Sequence, residues 1–351
     1  MTDSRYIRQA LLPGIGNEGQ ERLGVSHAVV VGVGALGCVS ADLLVRAGVG
    51  RVTLIDRDVV EVSNLQRQTL FAEADVGRPK AVAAAARLRA VNSGVTINAV
   101  VADVTGRNVH GMLNALCETG LPPPGPLPRG GGVVIDGTDN FETRYLLNDW
   151  CVKHGVPFLY AGAVGTRGMV AAFVPGGPCL RCVFEDPPEP GSQPTCETAG
   201  VLGPAVVMAG AMQAAEAIKL LSGNAGAVSR DLATFDVWEN TWRRVALPVR
   251  RTDCPCCGLG RFEFLEGASG DEAVLCGREA VQVTPRAAAQ VDLASLARRL
   301  APHGAVSASE HLVRAAIEGV EMTVFADGRA IVKGTTRPEV ARSAYAKWVG
   351  V

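Results

Sequence analysis

Aromatic side chains make up only 5% of the 351 residues, whereas alanine, glycine and valine abound. That balance suits tightly packed layers of helices on a sheet. An excess of one charge is also missing. The formal net charge is −1, so nothing draws the chain in bulk to nucleic acid or to a membrane surface. Residues 1–10 carry Asp3, Arg5 and Arg8 and lack an apolar core of signal-peptide length. No internal repeat is visible. The histidines (His27, His110, His154, His303 and His311) fall in no metal-binding spacing, and none is given a role. The longest weakly polar run, Ala199 to Leu221, is interrupted by Gln213, Glu216 and Lys219 and is rich in small residues. It therefore reads as a buried helix and not as a membrane span. The expectation is a cytoplasmic protein with neither a nucleic-acid nor a membrane partner. Ten cysteines in that compartment point to metal or catalysis before disulfides.

What is present begins with Ala28 to Arg67. An apolar run, Ala28-Val29-Val30-Val31, leads to Gly32-Val33-Gly34-Ala35-Leu36-Gly37. A helical segment follows, then Arg51-Val52-Thr53-Leu54-Ile55, ending at Asp56. Strand, glycine turn, helix, strand and acidic residue in that order have the form of a dinucleotide fold. The glycines let backbone approach phosphate, and the helix start supplies unpaired N–H groups. Asp56 stands where such folds hold a ribose hydroxyl. Strand and helix signals keep alternating to about residue 161, which argues for a doubly wound, Rossmann-like, mostly parallel sheet. Two Pro-rich stretches, Leu121 to Gly132 and Glu185 to Thr195, read as loops. In the tail, Glu321–Ala326 and Arg329–Lys333 flank Asp327-Gly328, a hairpin signal. The expected division is an α/β domain over 1–265 and a small C-terminal α/β appendage over 266–351.

A glycine turn alone does not choose among NAD, FAD and ATP. The polar stretch after Asp56 does. Asn64, Arg67 and Lys80 offer an amide, a forked guanidinium and a point ammonium to a triphosphate. Asp139, expected at the carboxyl end of a strand, suits magnesium held against phosphate oxygens. Taken singly, each could be an ordinary surface residue. Cys179-Leu180-Arg181-Cys182 and Cys254-Pro255-Cys256-Cys257 are two C-x-x-C pairs. Four thiolates so spaced suit tetrahedral zinc, with Cys179, Cys182, Cys254 and Cys257 as ligands in a structural clamp. Cys256 could replace a neighbour. Cys38, Cys117, Cys151 and Cys276 read as packing residues.

Several short strings together resemble the ThiF/MoeB/HesA family, the adenylating enzymes of ubiquitin-like proteins. They are Arg5-Tyr6-Ile7-Arg8-Gln9, Leu12-Pro13-Gly14, Gly19-Gln20-Glu21-Arg22-Leu23, Gly32 to Gly37 and Asp56-Arg57-Asp58-Val59-Val60. Ser63 to Gln68, Val76-Gly77-Arg78-Pro79-Lys80 and Thr138-Asp139-Asn140 complete the set. The resemblance runs from about residue 5 to 260. It implies an adenylyltransferase: the C-terminal Gly-Gly carboxylate of a ubiquitin-like sulfur carrier, of the ThiS or MoaD type, attacks the α-phosphate of ATP and pyrophosphate leaves. Sulfur transfer for thiamine thiazole or molybdopterin would follow. The C-terminal extension favours the ThiF type.

The resemblance also implies roles. Gly32, Gly34, Ala35 and Gly37 would cradle phosphate, and Asp56 would hold the ribose. Ser63, Asn64, Leu65, Gln66 and Arg67 would line the nucleotide site. Lys80 would stabilise charge, and Asp139, with Asn140 beside it, would bind Mg2+. Arg8 would reach into the site of a second subunit, so a homodimer is implied. Zn2+ would sit at the cysteine pairs. Cys196 would lie in a loop crossing the carrier's tail, where some members form a covalent intermediate; a small residue before a buried helix explains it equally well. Activation for bacterial protein conjugation is an alternative with the same chemistry. Rivals from other classes are an NAD-dependent oxidoreductase, for which the chain offers no obvious acid or base, and an inactive carrier-binding scaffold, which would be expected to lose Arg8, Arg67, Lys80 or Asp139.

Overall fold

The computed structural model describes residues 4–116, 131–188, 198–267, 272–275, 280–285 and 290–350. The chain divides into two compact units, Met1–Gly267 and Ala268–Val351. The first opens with α1 (Ile7–Ala10) and α2 (Gly16–Gly24). It continues through β1 (His27–Val31), α3 (Ala35–Ala47), β2 (Arg51–Asp56), α4 (Lys80–Val91), β3 (Thr96–Val101), α5 (Val109–Leu113), β4 (Gly132–Asp136) and α6 (Phe141–His154). β5 (Phe158–Val164), β6 (Arg167–Phe173), α7 (Leu180–Val183), α8 (Gly203–Leu221), β7 (Asp231–Asp236), β8 (Thr241–Ala246) and α9 (Glu263–Glu266) complete it.

One eight-stranded sheet has the order β3-β2-β1-β4-β5-β6-β7-β8. From β3 to β5 neighbouring strands are parallel; β6, β7 and β8 extend the sheet antiparallel. β1 is buried along its whole length, and its alternate residues feed two cores. Ala28 and Val30 join Val52, Leu54 and Ile135 in a core with α3, α4 and α8. Val29 and Val31 join Ile55, Val134, Tyr145 and Trp150 in a core with α5 and α6. A strand covered on both faces needs a continuous apolar run, which is why Ala28 to Val31 shows no polar alternation. α8 is long and apolar enough by composition to cross a bilayer, but half of its most apolar stretch is buried in the fold. Its small residues let it approach α3 closely: a Cβ on Gly210 would lie 2.8 Å from Val39 Cβ. α5 runs directly into a short 3-10 turn, Asn114–Leu116.

The second unit is a six-stranded antiparallel sheet of order β11-β12-β13-β14-β10-β9. Its elements are β9 (Glu272–Leu275), β10 (Ala280–Val283), α10 (Leu293–Leu300), β11 (Ala305–Ala308), β12 (Leu312–Ile317), β13 (Val320–Phe325), β14 (Ala330–Lys333) and α11 (Pro338–Trp348). β13 and β14 pair antiparallel across the Asp327-Gly328 turn, where Gly328 has a φ of 83°. Leu293, Leu296 and Leu300 of α10 and Ala341 and Tyr345 of α11 pack with Val281, Val313, Met322, Val324 and Val332. Asp292 caps α10 by accepting from Ser295 N at 3.0 Å.

His27 is buried at the start of β1, where its Nε2 lies 2.9 Å from Thr53 Oγ1. Burial, helped by the nearby Arg51, lowers its pKa from 6.5 to about 4. The folded imidazole therefore stays neutral where the unfolded one is already charged. This contribution to stability is intact above pH 6.5 and is lost as pH falls from 6.5 to about 4. A shift of that size is worth about 3 kcal/mol. Chemical unfolding across this range should show a shallower loss of stability for His27→Gln than for the wild type; parallel pH profiles would exclude the effect.

Candidate active site

β1 pairs with β2 on one side and β4 on the other. The connections after β1 and β4 therefore leave in different directions, and a crevice opens at their carboxyl ends, the place where open α/β sheets bind ligands. The glycine turn Gly32–Gly37 forms one lip and Gly137–Asn140 the other. The lips touch through backbone: Gly137 N donates to Val31 O at 2.8 Å, and a Cβ on Gly32 would lie 2.6 Å from Gly137 O. A Cβ on Gly37 would strike Gly32 O. Gly32 also has a φ of 83°, so glycine is required there on two counts. α3 begins at Ala35, and the N–H groups of its first turn precede any intrahelical bond. They carry the partial positive charge that favours an anion.

Asp56, at the end of β2, is buried against this turn. Its Oδ2 accepts from Val33 N at 2.6 Å and its Oδ1 from Asp58 N at 2.7 Å. Burial raises its pKa, while Lys80 opposes the rise. Lys80 is only 3% exposed, and its Nζ donates to Asp58 Oδ2 at 3.1 Å. The backbone repeats the link: Lys80 N donates to Asp58 O at 2.9 Å, and Val60 N to Arg78 O at 2.9 Å. Pairing of Asp58–Val60 with Gly77–Lys80 thus folds a polar loop back onto the crevice and plants Lys80 beside Asp56. Asp58 was absent from the residues expected at the site. Its pairing with Lys80, 22 positions away, has no local signal.

Within that loop the residues expected at the site divide. Asn64 is buried and its Oδ1 accepts from Glu61 N at 3.1 Å, fixing a short 3-10 turn. Arg67 turns its Nη1 to Ser63 O at 2.9 Å. Leu65 packs against the core, whereas Ser63 and Gln66 are exposed. Gln68 is buried, and its Nε2 lies 4.0 Å from where a Cβ on Gly34 would be. On the second lip Asp139 is exposed. Asn140 is the N-cap of α6, its Oδ1 accepting from Thr143 N at 2.8 Å. Behind them Asp136 and Arg144 form a buried ion pair of 2.7 Å. Neither was expected from sequence, where they are only a polar strand end and a helical arginine.

Arg8 is exposed on α1. That helix is moored to the far end of α3, where Gln9 Nε2 donates to Ala47 O at 2.9 Å. The Tyr6 ring lies over Gly48, and Asn92 Nδ2 donates to Tyr6 Oη at 2.7 Å. α3 has 13 residues and spans about 20 Å, so Arg8 is not brought to the glycine turn of its own chain.

Away from the crevice, the sulfurs of Cys179, Cys182, Cys254 and Cys257 lie within 4.8 Å of one another, and all four residues are buried. Cys179 and Cys254 are separated by 3.7 Å, and Cys182 and Cys257 by 3.4 Å. Tetrahedral thiolates at a metal–sulfur distance of about 2.3 Å would be spaced at about 3.8 Å, so the four fit one metal ion. Cys256 is buried too, but its Sγ is 3.4 Å from Asn148 Nδ2, and it stands outside the four. Cys38 and Cys151 are buried in α3 and α6. Cys117, Cys196 and Cys276 lie outside the described residues, as do most of the Pro-rich stretches.

Residues 6–256 match the model of the ThiF family. Over 352 aligned residues, covering 99% of each chain, the sequence is 42% identical to the sulfur carrier protein ThiS adenylyltransferase of Bacillus subtilis (strain 168). It is 41% identical over 263 residues to the SAMP-activating enzyme E1 of Haloferax volcanii, covering 75% of this chain and 91% of that one. Among solved structures, E. coli MccB with succinimide aligns with a TM-score of 0.60 at 22% identity, over 74% of each chain, a likeness of fold.

Because the Asn140 side chain caps α6, Asn140→Ala should lower stability by about 1 kcal/mol. The shift in urea midpoint measures it; an unchanged midpoint would mean that the cap contributes nothing.

Proposed function

The chain belongs to the ThiF family, and from that premise we propose that it adenylates the C-terminal glycine carboxylate of a ubiquitin-like sulfur carrier with ATP. The observation that carries the reading is the crevice between the two lips, which combines a glycine turn, a buried lysine and an exposed carboxylate. The carrier is taken to be of the ThiS type, because likeness to the ThiS adenylyltransferase extends over 99% of the chain, the C-terminal unit included.

In the reaction a carboxylate oxygen of the carrier forms a bond to the α-phosphorus of ATP. The bond from that phosphorus to the bridging oxygen breaks, and pyrophosphate leaves with the electron pair. The attacking carboxylate is already ionised at neutral pH, so no general base is needed. The work of the protein is positioning and neutralisation of phosphate charge. The glycine turn and the start of α3 hold phosphate oxygens, Asp56 the ribose, and Asn64, Arg67 and Lys80 the remaining anionic oxygens. Lys80 begins paired with Asp58, so it is already oriented and desolvated before ATP arrives. Asp139 offers one carboxylate in the open and would hold a magnesium ion, which would supply further charge neutralisation when bound. Arg8, moored far from its own crevice, acts in the crevice of a second copy, which makes the enzyme a homodimer. The four cysteines fit structural zinc, since four thiolates leave no open position for catalysis.

With ATP, magnesium and a Gly-Gly-ended carrier, the protein should exchange pyrophosphate into ATP and add an AMP mass to the carrier. Arg67→Ala, Lys80→Ala and Asp139→Ala should each cost about 100-fold or more. Mixing Arg8→Ala with Lys80→Ala should restore about a quarter of wild-type exchange, because half the dimers then hold one intact site. No exchange with any such carrier would sink the reading, and no recovery on mixing would exclude Arg8 acting across subunits.

One zinc per chain should be found by elemental analysis. Its removal by a strong chelator should lower the thermal midpoint of the first unit well before exchange is lost at low temperature. A chain without bound metal, or one whose midpoint ignores the chelator, would exclude the clamp.

A further inference from the structure

On the reading of Asp139 given above, we propose that Arg144 is a positioning residue for the metal–phosphate subsite. Acting through Asp136 and the Thr138 carbonyl, it fixes the backbone that carries Asp139 relative to the glycine turn.

Arg144 lies one turn into α6 and is buried. Its Nε donates to Asp136 Oδ2 at 2.7 Å, and its Nη2 to Thr138 O at 2.9 Å. The guanidinium lies over two rings, 4.9 Å from the centroid of Tyr160 and 5.4 Å from that of Phe141. The other oxygen of Asp136 accepts from Thr138 N at 3.0 Å and from Thr138 Oγ1 at 2.6 Å. The Asp136 carbonyl accepts from Gln213 Nε2 of α8 at 2.8 Å, and Gln213 Oε1 accepts from Ser40 Oγ of α3 at 2.7 Å. On the far side, Asn140 is held by its cap.

Every neighbour of Asp139 in this turn is therefore pinned, and Asp139 alone projects exposed. The pinning reaches α3, the helix that starts at the glycine turn, so both lips hang from one buried network. A buried ion pair is a poor way to gain stability alone, since an apolar pair often does as well. What the forked guanidinium adds is direction: it holds a carboxylate from Nε and a carbonyl from Nη2 in one rigid plane, an orientation that the point ammonium of lysine does not fix and an apolar residue does not make.

Two variants test the role. Arg144→Met combined with Asp136→Asn removes both charges while leaving an oxygen toward Thr138. Arg144→Lys keeps the charge and loses the fork. Thermal unfolding establishes that each is folded. Binding of a fluorescent ATP analogue is then measured with and without Mg2+, beside the Mg2+ dependence of pyrophosphate exchange. Metal-free binding should match the wild type, because Asp56, Lys80 and the glycine turn are untouched. The tightening caused by Mg2+ should be lost, and half-saturating Mg2+ should rise about tenfold. A folded variant with the wild-type Mg2+ response would overturn the role of Arg144; if the double variant does not fold, Arg144→Lys decides. A wild-type protein whose nucleotide binding ignores Mg2+ would overturn the reading of Asp139 itself, a separate result.

Discussion

The contact between the turns after β1 and β4 is the constraint on which the crevice depends. Gly32, Gly37 and Gly137 meet backbone to backbone, with no room for a Cβ at any of the three. That closeness joins the two lips and leaves the start of α3 facing the gap. It also fixes where everything else must reach: Asp56 from the end of β2, Lys80 from the start of α4, and Asp139 from the second lip. A sheet that reverses its winding between β1 and β4 supplies the opening; the glycines set its width.

Charge in the crevice is arranged in advance and at a cost. Lys80 and Arg144 are both buried, and each is paired with a carboxylate: Lys80 with Asp58, Arg144 with Asp136. Removing such charges from water is unfavourable unless partners compensate. The two pairs differ in what they border. Asp58 is on the loop that returns to the crevice, so its lysine stands beside Asp56. Asp136 is sealed beneath the second lip, where its arginine meets the Thr138 carbonyl and the Tyr160 ring of β5. One pair lies on the loop that lines the crevice, and the other ties the start of α6 to the end of β4.

The antiparallel extension β6-β7-β8 has a different task. β5 and β6 are joined by a tight turn, α8 lies between β6 and β7, and the two cysteine segments follow β6 and β8. Their four sulfurs converge from positions 75 residues apart. Val152 and Phe262 pack against that cluster, so the end of the first unit and the segment after β6 share one small core.

Much of this was legible in residue order. Continuous apolar runs marked the buried parallel strands, because a strand covered on both faces cannot alternate. The glycine turn, Asp56, the paired cysteines and the Asp327-Gly328 hairpin were readable because each depends on neighbours within a few positions. The rest required the folded chain. Asp58 matters because it meets Lys80, and Asp136 because Arg144 reaches back across a turn to it. Gln213 belongs to the crevice only because α8 packs behind it, and Arg8 is excluded from its own crevice only because Tyr6 and Gln9 moor α1 at the far end of α3. Local spacing dictates turns, strands and ligand pairs, since those are short-range geometry. Which charges are buried together, and which side chains share a space, is decided by packing between segments far apart in the chain.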